Sequence, residues 1–261
     1  MTSTGDLEGN LLSAERLGGV AAGDGARLVV LPECFAFLGA EDGKLAIAES
    51  VPGEGPILRR MGELARTHGT ELVLGGFWEH SPGNPKKVRN ACVHLDAEGA
   101  VKSVYRKIHL FDVDLPDGTK LVESDTVERG DEVVSSATCF GQLGLSVCYD
   151  LRFPELYRQL VDKGAIALAI PAAFTLTTGK DHWHVLLRAR AIEAQSYVLA
   201  AAQTGHHFGS RRSYGHALIC DPWGTVLAEC GEGEGVATAW LDPEVVARVR
   251  ASLPSLQHRV L

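Results

Sequence analysis

Residues 145–156 read LSVCYDLRFPEL, and this stretch decides the fold that the rest of the chain has to fit. Its apolar first part predicts a buried strand that ends at Cys148. A helix is expected from Pro154, because proline is tolerated at the first helical position, where its missing N–H would have no partner. The pattern therefore predicts a thiol held at a sharp strand-to-helix turn. The alternative is a packed core cysteine, since free cysteine is among the most buried residue types.

Two other apolar runs also end in a charged residue. Residues 27–35, RLVVLPECF, bring Glu33 to the end of a predicted strand, and residues 101–111, VKSVYRKIHLF, do the same for Lys107. Ligand crevices form at strand ends in layered α/β proteins. A single such charge is most simply a solvated side chain at the start of a loop. A thiol, a carboxylate and an ammonium that all lie at predicted strand ends favour a functional site.

These three groups are suited to acyl transfer. A thiol at its ordinary pKa is mostly protonated at neutral pH and needs a base or a cation to activate it. Glu33 is the candidate general base for Cys148. Lys107, with the backbone N–H of Tyr149, is the candidate stabiliser of the oxyanion in a tetrahedral intermediate. Such a set works through a thioester and requires no metal, so we expect neither a metal nor another cofactor.

Three motifs carry a family resemblance: LPECF around Glu33, YRKIHLFDVD around Lys107 and CYDLRFPEL around Cys148. With residues 170–203 and 213–229, they resemble the nitrilase superfamily of carbon–nitrogen hydrolases over nearly the whole chain. The resemblance implies a Glu-Lys-Cys triad on a four-layer α-β-β-α sandwich, an α/β fold. It also implies that Glu123 is a second glutamate that orients Lys107 and the attacking water, and that the protein is a homodimer or a higher homo-oligomer.

The segments HWHVLLRARAIEAQSYV, HHFGSRRSYGHA and DPWGTV resemble the deaminated glutathione amidases of the Nit subgroup. This likeness implies hydrolysis of deaminated glutathione to 2-oxoglutarate and cysteinylglycine. The alternatives are an ω-amidase acting on 2-oxoglutaramate or 2-oxosuccinamate, and an N-carbamoyl or aliphatic amide hydrolase. A non-enzyme alternative is an inactive binding protein on the same fold, because fold does not fix function. The intact triad disfavours it.

The chain departs from the family pattern at two places. Family members normally have a strand of the VAVVQ type just before the segment that here is Met1-Thr2-Ser3-Thr4, so we expect that strand to be missing, through a mis-assigned start or a truncation. Loss of an interior strand would expose backbone groups and apolar surface. The second departure is His184, where relatives often carry glutamate.

Candidate substrate-binding residues come from the need to hold acidic groups. Arg152 follows the nucleophile by four residues, and Arg211 and Arg212 lie in a loop flanked by glycine and serine. Phe174 and Thr175 follow a predicted strand and are expected to form the pocket wall. The alternative for each is a plain surface or structural role.

The histidine pairs His182/His184 and His206/His207 invite a metal-site interpretation. Residues two apart do not share a helix face. With no acidic or cysteine cluster evident beside them, we expect them to be structural. Arg190 and Glu193, three residues apart, are expected to form a structural ion pair.

Composition limits the remaining classes. The chain has 261 residues, is 45% hydrophobic and has a net charge of −8, without a linker that divides it, so we expect a single domain over residues 1–261. The acidic balance argues against nucleic-acid binding. No apolar run is long enough to span a membrane, and no secretory profile opens the chain. Six cysteines without CxxC pairs favour reduced thiols and a cytoplasmic location.

The coarse pattern alternates helices and strands early and concentrates strands late. We expect a hairpin that turns at Gly141-Gln142, a helix over 181–194 capped by Thr178 or Asp181, and a strand over 237–241.

Overall fold

Two β-sheets packed face to face, each covered by helices on its outer side, form the protein. The computed structural model describes residues 1–114 and 120–260. Side chains of the first sheet, such as Val73 and Tyr105, share one buried core with Leu143 and Leu145 of the second. A second core lies between the first sheet and its two covering helices. The expected four-layer α-β-β-α sandwich is confirmed.

Six α-helices are described, and short 3₁₀ turns at Glu123–Asp125 and Cys148–Arg152 accompany them. None of the helices in the described ranges is both long and apolar enough to cross a membrane. Their bounds are α1 (Leu7–Gly23), α2 (Gly43–Ile47), α3 (Pro56–His68), α4 (Pro154–Asp162), α5 (Leu176–Ala194) and α6 (Pro243–Ser252).

The first sheet has the strand order β1-β2-β3-β4 and is covered by α1 and α3. The second has the order β14-β13-β10-β9-β8-β7 and is covered by α4 and α5. Two antiparallel strand pairs, β5-β6 and β11-β12, stand outside these sheets. The bounds are β1 (Leu28–Leu31), β2 (Glu71–His80), β3 (Val88–Leu95), β4 (Val101–Arg106), β5 (Asp112–Asp114), β6 (Lys120–Val122), β7 (Ser135–Thr138), β8 (Gly141–Leu145), β9 (Ala165–Ala169), β10 (Tyr197–Ala200), β11 (Thr204–Phe208), β12 (Arg211–Tyr214), β13 (Leu218–Cys220) and β14 (Val226–Glu229).

Strand β1 lies at the edge of the first sheet. It pairs in parallel with β2, and no described strand pairs with its other edge. A groove of about 680 Å³ opens between this edge and strands β10 and β13, bordered by residues 236–241. The first residues of the chain run beside it without forming a strand, and the Met1 carbonyl accepts a hydrogen bond from the Thr204 N–H. In the described residues, the position next to β1 therefore holds no strand.

Three expected elements differ in detail. Helix α5 begins at Leu176 with Thr175 as its N-cap, because Thr175 is anchored by a bridge to Ser213 and fixes the first turn earlier than the sequence suggests. The β7-β8 hairpin turns at residues 139–140, so Gly141 already belongs to β8. Residues 237–241 form no strand, because they lie along the groove beside β1, where no described strand is available to pair with them.

Candidate active site

Three strand ends bring the predicted catalytic groups together. Glu33 follows β1 by two residues, Lys107 follows β4 directly, and Cys148 follows β8 by three. All three side chains are buried, at 4%, 2% and 8% exposure, and line one cavity of about 510 Å³. The structure thus brings the three residues singled out in the sequence to one place.

The Glu33 carboxylate is held by donors from three directions. Its Oε1 accepts from Lys107 Nζ at 3.0 Å and from Asn90 Nδ2 at 2.9 Å, and its Oε2 accepts from the Ala173 N–H at 2.8 Å. Gly76, with φ +78°, leaves room for it: a Cβ there would lie 2.7 Å from Glu33 Cγ. The carboxylate therefore has one fixed position, in the cavity that Cys148 also lines.

Glu123 is the second carboxylate on Lys107. Lys107 Nζ donates to its Oε2 at 2.8 Å and to its Oε1 at 3.1 Å. The Phe111 N–H also donates to Oε2, at 2.7 Å, and so fixes the carboxylate from the backbone. The ammonium thus lies between Glu33 and Glu123, and the three charges form one buried network.

Cys148 has a backbone conformation that residues other than glycine rarely adopt. Its φ is +48°, and its N–H donates to the Pro171 carbonyl at 2.8 Å. Such a conformation costs about 1–3 kcal/mol and persists only where the surroundings enforce it. The turn aims the thiol into the cavity and starts the 3₁₀ helix with Tyr149, whose N–H has no acceptor within that helix. This is the N–H predicted for the oxyanion.

The protonation states of the site follow from burial and charge. Burial, and then the negative charge of Glu33, raise the pKa of the Cys148 thiol well above its usual value. Burial alone would raise the pKa of Glu33, but the Lys107 ammonium and the hydrogen-bond donors hold it below its usual value. The two carboxylates outweigh burial and raise the pKa of Lys107. The resting site therefore holds a carboxylate, an ammonium and a thiol.

Asp150 stabilises the turn that carries Cys148, and the sequence did not predict this role. It is fully buried; its Oδ2 accepts from the Val147 N–H at 2.8 Å and from the Tyr105 hydroxyl at 2.7 Å. Its Oδ1 lies 2.7 Å from His109 Nδ1, and the His109 ring stacks on Phe153. An aspartate two residues after a candidate nucleophile, inside an apolar context, was the available signal.

Arg152, Phe174, Thr175 and Arg211 all line the same cavity. The Arg152 guanidinium lies over the Phe174 ring at 5.0 Å, and burial lowers its pKa. Arg211 Nη2 donates to the Ala173 carbonyl at 2.8 Å, while its buried Nη1 has no hydrogen-bond partner among the described residues. Arg152 and Arg211 are therefore placed to meet an acidic ligand, and Lys44 and Lys120 also line the cavity.

Arg212 is not brought to the cavity. Successive side chains of a strand point to opposite faces, so Arg211 and Arg212 of β12 diverge. Arg212 is exposed and does not line the cavity.

One premise of the expectation for the α5 histidines, that no acidic cluster lies beside them, is wrong for His184. His184 does meet an acidic residue and a second histidine, because Glu229 and His216 come from distant parts of the chain. Arg190 and Glu193 form the expected ion pair, with 2.7 Å between Nη1 and Oε1.

The fold and this site define a class of enzyme, and sequence comparison agrees. The profile of the carbon-nitrogen hydrolase family matches residues 1–251, and the chain belongs to this family. It is therefore a hydrolase that acts on carbon–nitrogen bonds.

Individual proteins of this family are similar to the chain over its whole length. A Synechocystis protein named deaminated glutathione amidase is 47% identical over 262 aligned residues, covering 100% of this chain and 96% of that protein. The human protein of the same name is 45% identical, covering 99% and 80%. The crystal structure of Caenorhabditis elegans NitFhit matches with a TM-score of 0.93 at 41% identity, and this chain spans 63% of that longer chain.

Proposed function

We propose that this protein hydrolyses the amide bond of deaminated glutathione through a thioester on Cys148. The observation that carries the proposal is the convergence of a buried thiol, carboxylate and ammonium from three strand ends on one cavity. The substrate is supported by full-length relatives that carry the name deaminated glutathione amidase.

In the first half-reaction the Cys148 sulfur attacks the amide carbonyl carbon. Glu33 takes the thiol proton and passes it to the departing amine, so that the C–N bond breaks as the thioester remains. The oxyanion formed on the way is stabilised by Lys107 Nζ and the Tyr149 N–H. Such preorganised donors typically lower the barrier by about 3–4 kcal/mol each. Glu123 positions Lys107 through its two hydrogen bonds.

In the second half-reaction water replaces the amine. Glu33, again ionised, takes a proton from the water, the hydroxide adds to the thioester carbon, and the C–S bond breaks. The thiolate leaving group recovers its proton from Glu33. The net products are 2-oxoglutarate and cysteinylglycine, and the three groups return to their resting charges.

The acidic acyl half of the substrate is suited to the two arginines. We assign its carboxylate to Arg211, whose Nη1 is buried without a partner among the described residues, and to Arg152 across the Phe174 ring. An unpaired buried donor carries a desolvation penalty that a ligand carboxylate removes. Phe174 and Thr175 form the apolar and hydroxyl-bearing wall.

The direct test is product formation from deaminated glutathione by the wild type, Cys148→Ala and the matched control Cys139→Ala. We expect 2-oxoglutarate and cysteinylglycine without ammonia from the wild type and the control, and none from Cys148→Ala. Cleavage of 2-oxoglutaramate with ammonia release, and none of deaminated glutathione, would replace this substrate by that of an ω-amidase. Turnover of only N-carbamoyl or simple aliphatic amides would point to that alternative.

The setting of the enzyme is part of the same proposal. We place it in the cytoplasm as a single domain over residues 1–261 that forms a homodimer or a higher homo-oligomer. Six free cysteines support a reducing compartment. Sedimentation of the purified protein tests the oligomer.

A further inference from the structure

A second cluster of chemically active side chains lies away from the Cys148 cavity. His184 comes from α5, His216 from the turn after β12, and Glu229 from the end of β14. His184 Nε2 lies 2.9 Å from Glu229 Oε1, and His216 Nδ1 lies 2.7 Å from the same oxygen. None of the three lines the Cys148 cavity.

The surroundings hold this cluster in place. The ring of Tyr214 stacks on His216, with centroids 4.4 Å apart, and meets His184 edge-on at 6.0 Å. His216 has φ +58°, a conformation that a side chain rarely adopts, and its carbonyl accepts from Trp183 Nε1 at 2.8 Å. Backbone strain of this kind persists where the structure fixes a side chain in one direction.

The donor set is that of a transition-metal site. Two imidazole nitrogens and one carboxylate oxygen all lie within 4.8 Å of one another. Zinc binds such ligands at about 2.0–2.2 Å in a tetrahedron, which places neighbouring ligand atoms about 3.3 Å apart. The present 2.7 and 2.9 Å separations need to open by only about half an ångström to receive an ion.

The cluster is also open to solvent on one side. The side chains of His184, His216 and Glu229 are 32%, 23% and 32% exposed. An ion held by three protein ligands thus retains a position for water. Imidazole and carboxylate ligands suit zinc and its neighbours in the first transition series rather than magnesium or calcium.

We propose that His184, His216 and Glu229 bind a divalent first-row transition-metal ion, with zinc as the expected occupant. The ion connects α5, the turn after β12 and β14. The same turn continues from the strand that carries Arg211, and Trp183, beside His184, packs on Phe174 at 5.2 Å. The site therefore braces the wall of the catalytic cavity without contacting the reacting atoms.

Titration of the purified full chain with Co²⁺ tests the proposal, because the visible absorption of this ion reports its coordination geometry. We expect one Co²⁺ per chain with a tetrahedral or five-coordinate spectrum, displaced by Zn²⁺. His184→Gln and His216→Gln should each weaken binding by at least about tenfold. His206→Gln, which removes an exposed histidine elsewhere, and Cys148→Ala, which removes the thiol of the other cavity, should retain the spectrum.

Absence of a Co²⁺ spectrum in the wild type would overturn the proposal without recourse to any variant. Binding that persists in both His184→Gln and His216→Gln would also overturn it. Circular dichroism checks that the variants are folded, and His184→Glu, which offers a carboxylate in place of the imidazole, should bind the ion with an altered spectrum. A metal-induced rise in the unfolding midpoint that is confined to proteins with the intact cluster gives a second readout.

Discussion

Glu33 and Cys148 illustrate how burial and charge divide roles between neighbouring residues. Both are buried in the same cavity, yet Lys107 keeps the carboxylate ionised, whereas burial and then the negative charge of Glu33 keep the thiol protonated. A buried thiol without a base would be inert. The proposed reactivity of Cys148 therefore depends on proton transfer to Glu33 and not on a thiolate that is present at rest.

Glu33→Gln should lower kcat/KM by about 10²–10⁴-fold, the usual contribution of a general base. The amide keeps the shape of the side chain and can still bond to the Ala173 N–H, so the fold should persist. Steady-state kinetics measure the effect, with the exposed Glu98→Gln as the control. A loss of less than tenfold would show that another group takes the thiol proton.

Arg211→Ala should raise KM for acidic acyl donors by at least about tenfold, because it removes a charge-assisted contact with the ligand carboxylate. The rate of Cys148 alkylation by iodoacetamide should stay within about twofold, since no contact between Arg211 and the thiol is involved. Arg212→Ala, one residue further on and exposed, provides the matched comparison. Equal effects of the two substitutions on KM would remove Arg211 from the binding site.

His207 makes the stability of the fold depend on pH. Burial lowers its pKa from 6.5 to about 4, and its Nδ1 donates to the Ser3 carbonyl at 2.7 Å. Below pH 6.5 the imidazole of His207 is protonated in the unfolded chain, whereas in the folded chain it stays neutral until the pH falls to about 4. The stabilisation is therefore complete above pH 6.5 and is lost as the pH falls toward 4.

We expect the free energy of unfolding to fall by about 3 kcal/mol between pH 7 and pH 4 on account of His207. His207→Gln should remove that part of the slope, whereas exposed His68→Gln should leave it. Urea unfolding at a series of pH values measures the slope. The same slope in His207→Gln and the wild type would assign the acid sensitivity to other groups.

At the scale of elements, the sequence indicated the candidate catalytic residues better than it indicated the candidate substrate-binding residues. Apolar runs that stop at Glu33, Lys107 and Cys148 mark strand ends, and sheet geometry brings such ends together. Arg211 and Arg212 are equivalent candidates in the sequence. They differ only in the structure, because their side chains point to opposite faces of β12. The His184 cluster joins three distant elements, so no local pattern could reveal it. Asn90 and Asp150 likewise act through contacts that only the folded sheets create.

Strand β1 offers a test of its open edge by hydrogen exchange. The Glu71 N–H donates to the Arg27 carbonyl, and Leu28 is in register with Glu71. In a parallel ladder the N–H groups of Val29 and Leu31 then point to β2, and those of Leu28 and Val30 point to the open edge.

We therefore expect the amides of Leu28 and Val30 to exchange at least about tenfold faster than those of Val29 and Leu31, because they lack a ladder partner. Amide exchange followed by NMR resolves the four positions. Uniform protection across β1 would mean that another segment pairs with this edge in solution.

At the scale of the whole molecule, two large cavities differ in the chemical character of the side chains that line them. The Cys148 cavity carries carboxylates and cations, whereas the groove beside β1 is lined by apolar side chains such as Leu17, Leu199 and Phe140. The two have no lining residue in common. A ligand in one should therefore leave the other accessible.

The groove also contains Cys139, which is the exposed cysteine of the six. An apolar dye such as anilinonaphthalene sulfonate should bind the native chain there, because a large unfilled apolar surface attracts such probes. In a Cys148→Ala background, attachment of cyclohexylmaleimide to Cys139 should fill part of the groove and lower the dye fluorescence by more than about half. The same treatment of a protein that also carries Cys139→Ser controls for reagent binding elsewhere. Fluorescence that is unchanged by the label would place the dye outside the groove and imply that its two walls close together in solution.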